Sequence, residues 1–191
     1  YERLDDDVTL IVDIGTNAEI LLGTKDSLLS ASSPTGPAFE GAQIVHGQRA
    51  APGAVERAQI DKDIVRYKVI GDERWSDELE SGEALHPTGI CGSGIIEIVS
   101  ELFTSEVIDA SGRFAADAVQ RYERVCRDDR GTYFILATAD ETTTGDEIVV
   151  TQKDIREIQL AKSALYAGVE LLMNRLGVDH VDHIRLAGAF G

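Results

Sequence analysis

Asp13-Ile14-Gly15-Thr16-Asn17 sets a carboxylate, a bare backbone position, a hydroxyl and an amide in one knot between two apolar runs. The preceding Leu10-Ile11-Val12 reads as buried strand, where an unpaired carboxylate is costly. Gly15 lets backbone N–H groups approach an anion without a Cβ in the way, and Thr16 and Asn17 add a hydroxyl and an amide beside them. A metal–phosphate ligand asks for this donor set. Asp13 would hold magnesium through water, or a nucleophilic water, and the amides would hold phosphate oxygens. The same residue types also build ordinary β-turns. Taken alone, the stretch leaves the two readings open.

Two other glycine clusters bear on that choice. Thr88-Gly89-Ile90-Cys91-Gly92-Ser93-Gly94 precedes a stretch with helical periodicity, and a helix N-terminus attracts anions through unpaired amides and its dipole. It is not a dinucleotide fingerprint: the spacing differs, and Glu83-Ala84-Leu85-His86-Pro87 ahead of it is no buried strand. Leu186-Ala187-Gly188-Ala189-Phe190-Gly191 runs a strand into small residues, which could equally serve helix–strand packing.

The elements that must position these residues follow from periodicity. Val8–Asp13, Ala18–Leu22 and Ser27–Ser32 read as strands, joined too tightly for a parallel crossover and so forming an antiparallel meander. Thr35-Gly36-Pro37 is a turn, and Ala38–Val45 is expected to be a short helix. Ala54–Ile60 and Ile64–Val69 form a hairpin, Arg121–Arg127 and Thr132–Ala137 a second, with Ile148–Val150 a further short strand. Ile95–Val107 is a helix by its apolar spacing. A longer one, capped by Thr151 with Asp154 in the first turn, carries Ile155, Ile158, Ala161, Leu165, Val169 and Leu172 on one stripe as far as Gly177. His183–Ala187 is the last strand. The pattern is that of an α/β lobe, a mixed sheet that starts with a three-strand meander and has helices packed on it.

Composition narrows the function classes. With 34 acidic against 18 basic residues, a net charge of −16, the chain offers no basic stripe for nucleic acid. No apolar run approaches the ~20 residues of a membrane span, and no signal segment opens the chain. Cys91 and Cys126 lie far apart, so neither a disulfide framework nor a zinc site is expected, and a reducing cytoplasm is the expected setting. At 191 residues, without an initial Met, the sequence is expected to be a single lobe, residues 1–191, cut from a longer multidomain protein. Acidic clusters read as solvated loops. Trp75, within one of them, is either an anchor for a partner or a local plug. His46, His86, His180 and His183 carry no assigned role, and Asp179-His180-Val181-Asp182-His183 reads as surface turn before metal site.

In order, a DxGTN hairpin, a GxGSG-type loop and a strand-to-LAGAFG turn resemble the second half of the actin-like ATPase superfamily. The likeness sharpens in six blocks: Val12–Ile20, Gly36–Ala42, Arg49–Ala54, Gly89–Ile96, Thr151–Glu157 and Leu186–Gly191. Together these resemble the C-terminal domain of the reductive activators of corrinoid proteins. The resemblance implies a ribonuclease-H-like, actin-like ATPase lobe that binds ATP and magnesium. It implies a parent protein that reduces Co(II) corrinoid to Co(I) for methyltransferases, with a two-iron iron–sulfur cluster in an N-terminal ferredoxin domain outside this chain. Expected partners are the corrinoid protein, the first ATPase lobe and the ferredoxin domain, with no nucleic acid or membrane.

By that resemblance Gly15, Thr16 and Asn17 contact the β- and γ-phosphates, and Asp13 orients magnesium-bound or attacking water. Gly188 and Gly191 let the backbone lie against the adenosine. Gln159 and Lys162 line base and ribose, or, for Lys162, a solvated helix face. Gly92, Ser93 and Gly94 lie near the cleft, or instead shape the packing of the helix that follows. Two other functions stay open: a docking module for a corrinoid protein without catalysis of its own, and an actin-like-fold kinase or acyl-CoA dehydratase activator.

Overall fold

Short strands and one long helix carry the Asp13 knot. The computed structural model describes residues 7–80 and 82–188. In chain order it contains β1 (Thr9–Ile14), β2 (Ala18–Gly23), β3 (Leu28–Ser33), β4 (Ala54–Asp61), β5 (Ile64–Val69) and β6 (Gly89–Ile90). Then come α1 (Gly92–Thr104), α2 (Ala118–Arg121), β7 (Val125–Asp128), β8 (Gly131–Ala137), β9 (Ile148–Thr151), α3 (Gln152–Leu176) and β10 (His183–Ala187). These elements divide into two compact units, residues 1–37 with 160–191 and residues 38–159.

In the first unit the sheet order is β10-β1-β2-β3, with β1–β2 and β2–β3 antiparallel and β1–β10 parallel. Val8, Leu10, Val12, Ala18, Ile20 and Leu22 make its core with Leu172 of α3, and Leu165, Val169 and Met173 pack against them. Burial of such side chains contributes about 1.5–3 kcal/mol each. Helix and sheet touch closely at Gly168, where a Cβ would stand 2.6 Å from Ile20 Cδ1. Beside it, the Ser33 hydroxyl donates to the Ala164 carbonyl at 2.6 Å. Asp182 is structural: its Oδ2 accepts the Val8 N–H at 2.8 Å, fixing the start of β10 to β1.

The second unit holds two three-stranded sheets, β5-β4-β6 and β7-β8-β9. Both expected hairpins are present, β4–β5 and β7–β8. Three boundaries differ from the periodicity reading. Residues 38–45 do not make an α-helix. A 3-10 turn, Pro37–Glu40, stops at Gly41, whose φ of +79°, followed by +70° at Gln43, cannot continue a right-handed helix. Arg121, the first residue of the expected strand, belongs instead to α2, whose Ala118 is completely buried, and the strand itself begins at Val125. Finally, α1 starts at Gly92 and not Ile95. Gly92 and Gly94 are poor helix formers, but a Cβ on Gly94 would overlap the Val55 carbonyl oxygen, so close helix–strand contact decides.

Asp154 organises the start of α3. Fully buried, it accepts the Val45 N–H through Oδ1 at 2.9 Å, and the Thr151 N–H and hydroxyl through Oδ2 at 2.8 and 2.7 Å. The Thr151 hydroxyl oxygen accepts the Asp154 N–H in return at 3.2 Å. This is the expected cap, reciprocated, with an added link to a distant loop.

Candidate functional site

The parallel pair β1–β10 ends at one edge, with Asp13 opposite Ala187 in the register and Gly188 next along. Ligands in α/β sheets gather beyond the carboxyl ends of parallel strands, where side chains and turns converge. Gly188 has a φ of +75°, and a Cβ there would overlap Asp13 Oδ1 and lie 3.0 Å from its Cγ. Glycine is therefore required twice at this position, for conformation and for room. The Asp13 carboxylate is exposed, and among the described residues no hydrogen bond or ion pair engages it.

Beside it, the ladder closes at Ile14↔Ala18, leaving Gly15, Thr16 and Asn17 as the turn. The Gly15 N–H donates to the Asn17 carbonyl at 3.1 Å. The Thr35 hydroxyl, in a residue only 5% exposed, is shared between the carbonyls of Gly15 at 2.8 Å and Thr16 at 3.1 Å. Thr35, which sequence reading assigned to a simple turn, thus ties down the Gly15–Thr16 backbone. Its signal, a hydroxyl just after the third strand of the meander, was there but not distinctive. Removing that hydroxyl with Thr35→Val is expected to cost about 1 kcal/mol in a urea melt and to speed hydrogen exchange at the Gly15–Asn17 amides.

Gly15 answers to no demand from the protein itself. A Cβ there would meet only the Asn17 carbonyl oxygen, at an ordinary 3.5 Å. With Thr16 and Asn17 exposed alongside Asp13, the edge presents a carboxylate, a hydroxyl, an amide and an open backbone position. Such a set suits a phosphate and a hydrated cation.

Of the remaining expected residues, some fall outside the described residues and others have partners within their own unit. Gly191 falls outside the described residues, as do Ala189 and Phe190. Lys162 is exposed on α3. In the second unit, Gln159 Nε2 donates to the Ser111 carbonyl at 2.9 Å, and its Oε1 accepts from Arg156 at 3.2 Å, so the side chain secures a loop. Gly92 and Gly94 are buried at the start of α1, which matches the packing reading for Gly94, while Ser93 is exposed and lies 3.2 Å from Cys91 Sγ. Trp75, half-buried, lies under Arg66 and Lys68 of β5, with ring-centroid distances of 4.7 and 5.4 Å. Among the described residues no group of three His, Cys, Asp or Glu could hold a metal on its own, and no helix is long and apolar enough to cross a membrane.

Comparison with known proteins agrees with this fold. Residues 7–191 match the family model described as the C-terminal domain of RACo, the ASKHA domain. The chain is 37% identical over 194 residues to the corrinoid activation enzyme RamQ of Eubacterium limosum, covering 98% of this chain and 31% of that protein. It is 24% identical over 195 residues to a [Co(II) methylated amine-specific corrinoid protein] reductase of Methanosarcina barkeri, covering 96% of this chain and 32% of that one. A solved structure of a reductive activator for corrinoid, iron–sulfur protein superposes with a TM-score of 0.81 at 37% identity, over 98% of this chain and 28% of its own. The chain thus spans about a third of the length of the curated relatives it matches.

Proposed function

The chain belongs to the family of RACo C-terminal ASKHA domains, and from that premise we propose that it is the nucleotide-binding lobe of an ATP-dependent reductive activator. The parent protein would return a Co(II) corrinoid to Co(I) by one electron, drawn from an iron–sulfur domain elsewhere in the same protein. Cys91 is buried and Cys126 stands apart from it, so the cluster's ligands would lie outside this chain. The observation that carries the reading is the edge where Asp13, the open Gly15 turn and Gly188 converge.

The residues fit ATP with magnesium on one structural ground: the space beside Gly15 is kept free of side chain although, among the described residues, only the Asn17 carbonyl oxygen comes near it, at 3.5 Å. Bound there, the nucleotide would supply the free energy of phosphoryl hydrolysis that an uphill reduction needs. The Gly15–Asn17 turn would hold phosphate oxygens through the Thr16 and Asn17 backbone N–H groups, the Thr16 hydroxyl and the Asn17 amide, while Gly15, whose own N–H is taken by the Asn17 carbonyl, would give room for the approach. Asp13 would hold water on the cation or aim the attacking water. Gly188, bare at Cα, would let backbone approach the nucleoside while leaving the Asp13 carboxylate in place.

Gly15→Ala separates this reading from a merely structural turn. Because the added methyl meets no clash in the protein, the melting temperature is expected to stay within about 2 °C of wild type. Affinity for a fluorescent ATP analogue in the full-length protein is expected to fall at least about tenfold, since the methyl would occupy the phosphate's place. Unaltered affinity in a normally folded variant would remove the phosphate role from this turn.

A further inference from the structure

An acid-rich chain has few cations to spare, yet four of them line one cavity of the second unit. This cavity, of ≈ 440 Å³, opens between the loop at Arg113 and Phe114, the β7–β8 edge at Arg127 and Thr132, and the first turns of α3 at Lys153 and Arg156. Elsewhere Arg57, Arg66, Arg74, Arg121 and Arg130 each sit in an ion pair, while Arg49, Arg124 and Arg175 have none among the described residues but do not line this cavity. Among the described residues, none of the four cavity cations sits in an ion pair. Arg127 Nε donates to the Thr132 hydroxyl oxygen at 3.0 Å, and Arg156 to Gln159 Oε1 at 3.2 Å. These neutral acceptors aim the guanidinium groups without neutralising them. Asp109 lies near Arg113, but its Oδ1 is occupied by the Ser111 hydroxyl at 2.6 Å and by the Ser111 and Arg113 backbone N–H groups at 2.8 and 3.1 Å.

Gathering like charges costs energy unless a counter-charge joins them. With 34 acidic residues in the chain, carboxylates were abundant, yet among the described residues none forms an ion pair with these four, and Asp109 acts on Arg113 alone at one end of the cavity. We infer that this cavity binds a small phosphorylated ligand carrying at least two negative charges. Guanidinium forks match phosphate oxygens in geometry as well as charge, and the volume suits a small molecule. The half-buried Phe114 gives that ligand an apolar wall. An acidic protein segment fits less well, because it would also face the rest of a chain with a net charge of −16, whereas a small ligand meets only the cavity.

Calorimetric titration of the full-length protein with inorganic pyrophosphate at low salt tests this, using Lys153→Ala/Arg156→Ala, Arg127→Ala and Gly15→Ala variants. All three cations are exposed, so their variants are expected to melt like wild type. Wild type is expected to show a binding component that weakens at least about tenfold in the double variant, less in Arg127→Ala, and persists in Gly15→Ala. Equal binding by wild type and the double variant, or loss in Gly15→Ala alone, overturns the proposal. Binding of hexaglutamate as tightly as pyrophosphate overturns the choice of ligand class.

Discussion

Asp13→Ala in the full-length protein is expected to abolish ATP-driven formation of Co(I), lowering its rate by about 10²–10³ while leaving the fold intact. The two halves of that expectation rest on different observations. Intact folding follows from the carboxylate's exposure: among the described residues it holds up nothing. Loss of rate follows from its place at the end of β1, beside an open turn, with neither carboxylate oxygen bonded among the described residues. Glu19, its partner in the register with β2, is bonded to the Ser32 hydroxyl at 2.8 Å. Asp13→Asn keeps the shape and loses the charge, so it tests whether the role is electrostatic. It is expected to lose nearly as much rate, and to need more magnesium for what remains. The Co(I) absorbance band, followed with and without ATP, reads the effect. Normal Co(I) formation by Asp13→Ala would remove Asp13 from the chemistry.

What the sequence disclosed and what it hid divide along one physical line, the distance over which a residue's partners lie. The β1–β2–β3 meander was legible because period-two alternation and short connections are local. So was the Thr151–Asp154 cap, a spacing of three on a helix. The parallel pairing of β1 with β10 is invisible to periodicity, because Asp13 and Ala187 meet only through the fold. Hence Gly188 was expected to serve a ligand, while its contact with the Asp13 carboxylate could not be foreseen. Thr35 bonds back to Gly15 and Thr16 across two strands, and nothing in its own neighbourhood announces it. The helix boundary at Gly92 fails for the same reason: propensity argues against glycine in a helix, and the Val55 backbone overrules it. Gln159 shows the same limit from the other side. Helical spacing correctly puts it on a face of α3, but spacing cannot say that the Ser111 carbonyl takes its amide.

Asp154→Ala is expected to destabilise the protein by about 3 kcal/mol, on the order of 10 °C in melting temperature, because one carboxylate serves three donors and none has a replacement. Losing a helix cap alone costs about 1 kcal/mol. The excess comes from the Val45 N–H, which Asp154 Oδ1 reaches at 2.9 Å from far along the chain. That bond fixes a loop already bent by left-handed backbone at Gly41 and Gln43, so its loss frees more than one residue. Asp154→Asn keeps one acceptor oxygen and is expected to lose roughly half as much. Thr151→Val, which removes only the reciprocal hydroxyl, is expected to cost about 1 kcal/mol and to be non-additive with Asp154→Ala, since both break the same bond. His46 supplies an independent readout. Burial holds its pKa below the usual value of 6.5, against the opposing pull of Asp154 and then Asp146. With Asp154 gone, burial has less to oppose it, and the imidazole is expected to titrate still lower. A depressed histidine adds stability above its unfolded pKa that is lost as pH falls through the folded value, so the variant's extra acid sensitivity should appear below about pH 6.5. Urea melts across that range, with the His46 ring protons followed by NMR, give both numbers. A melt within 1 kcal/mol of wild type, with His46 unmoved, would mean that the loop and α3 stay joined without this carboxylate.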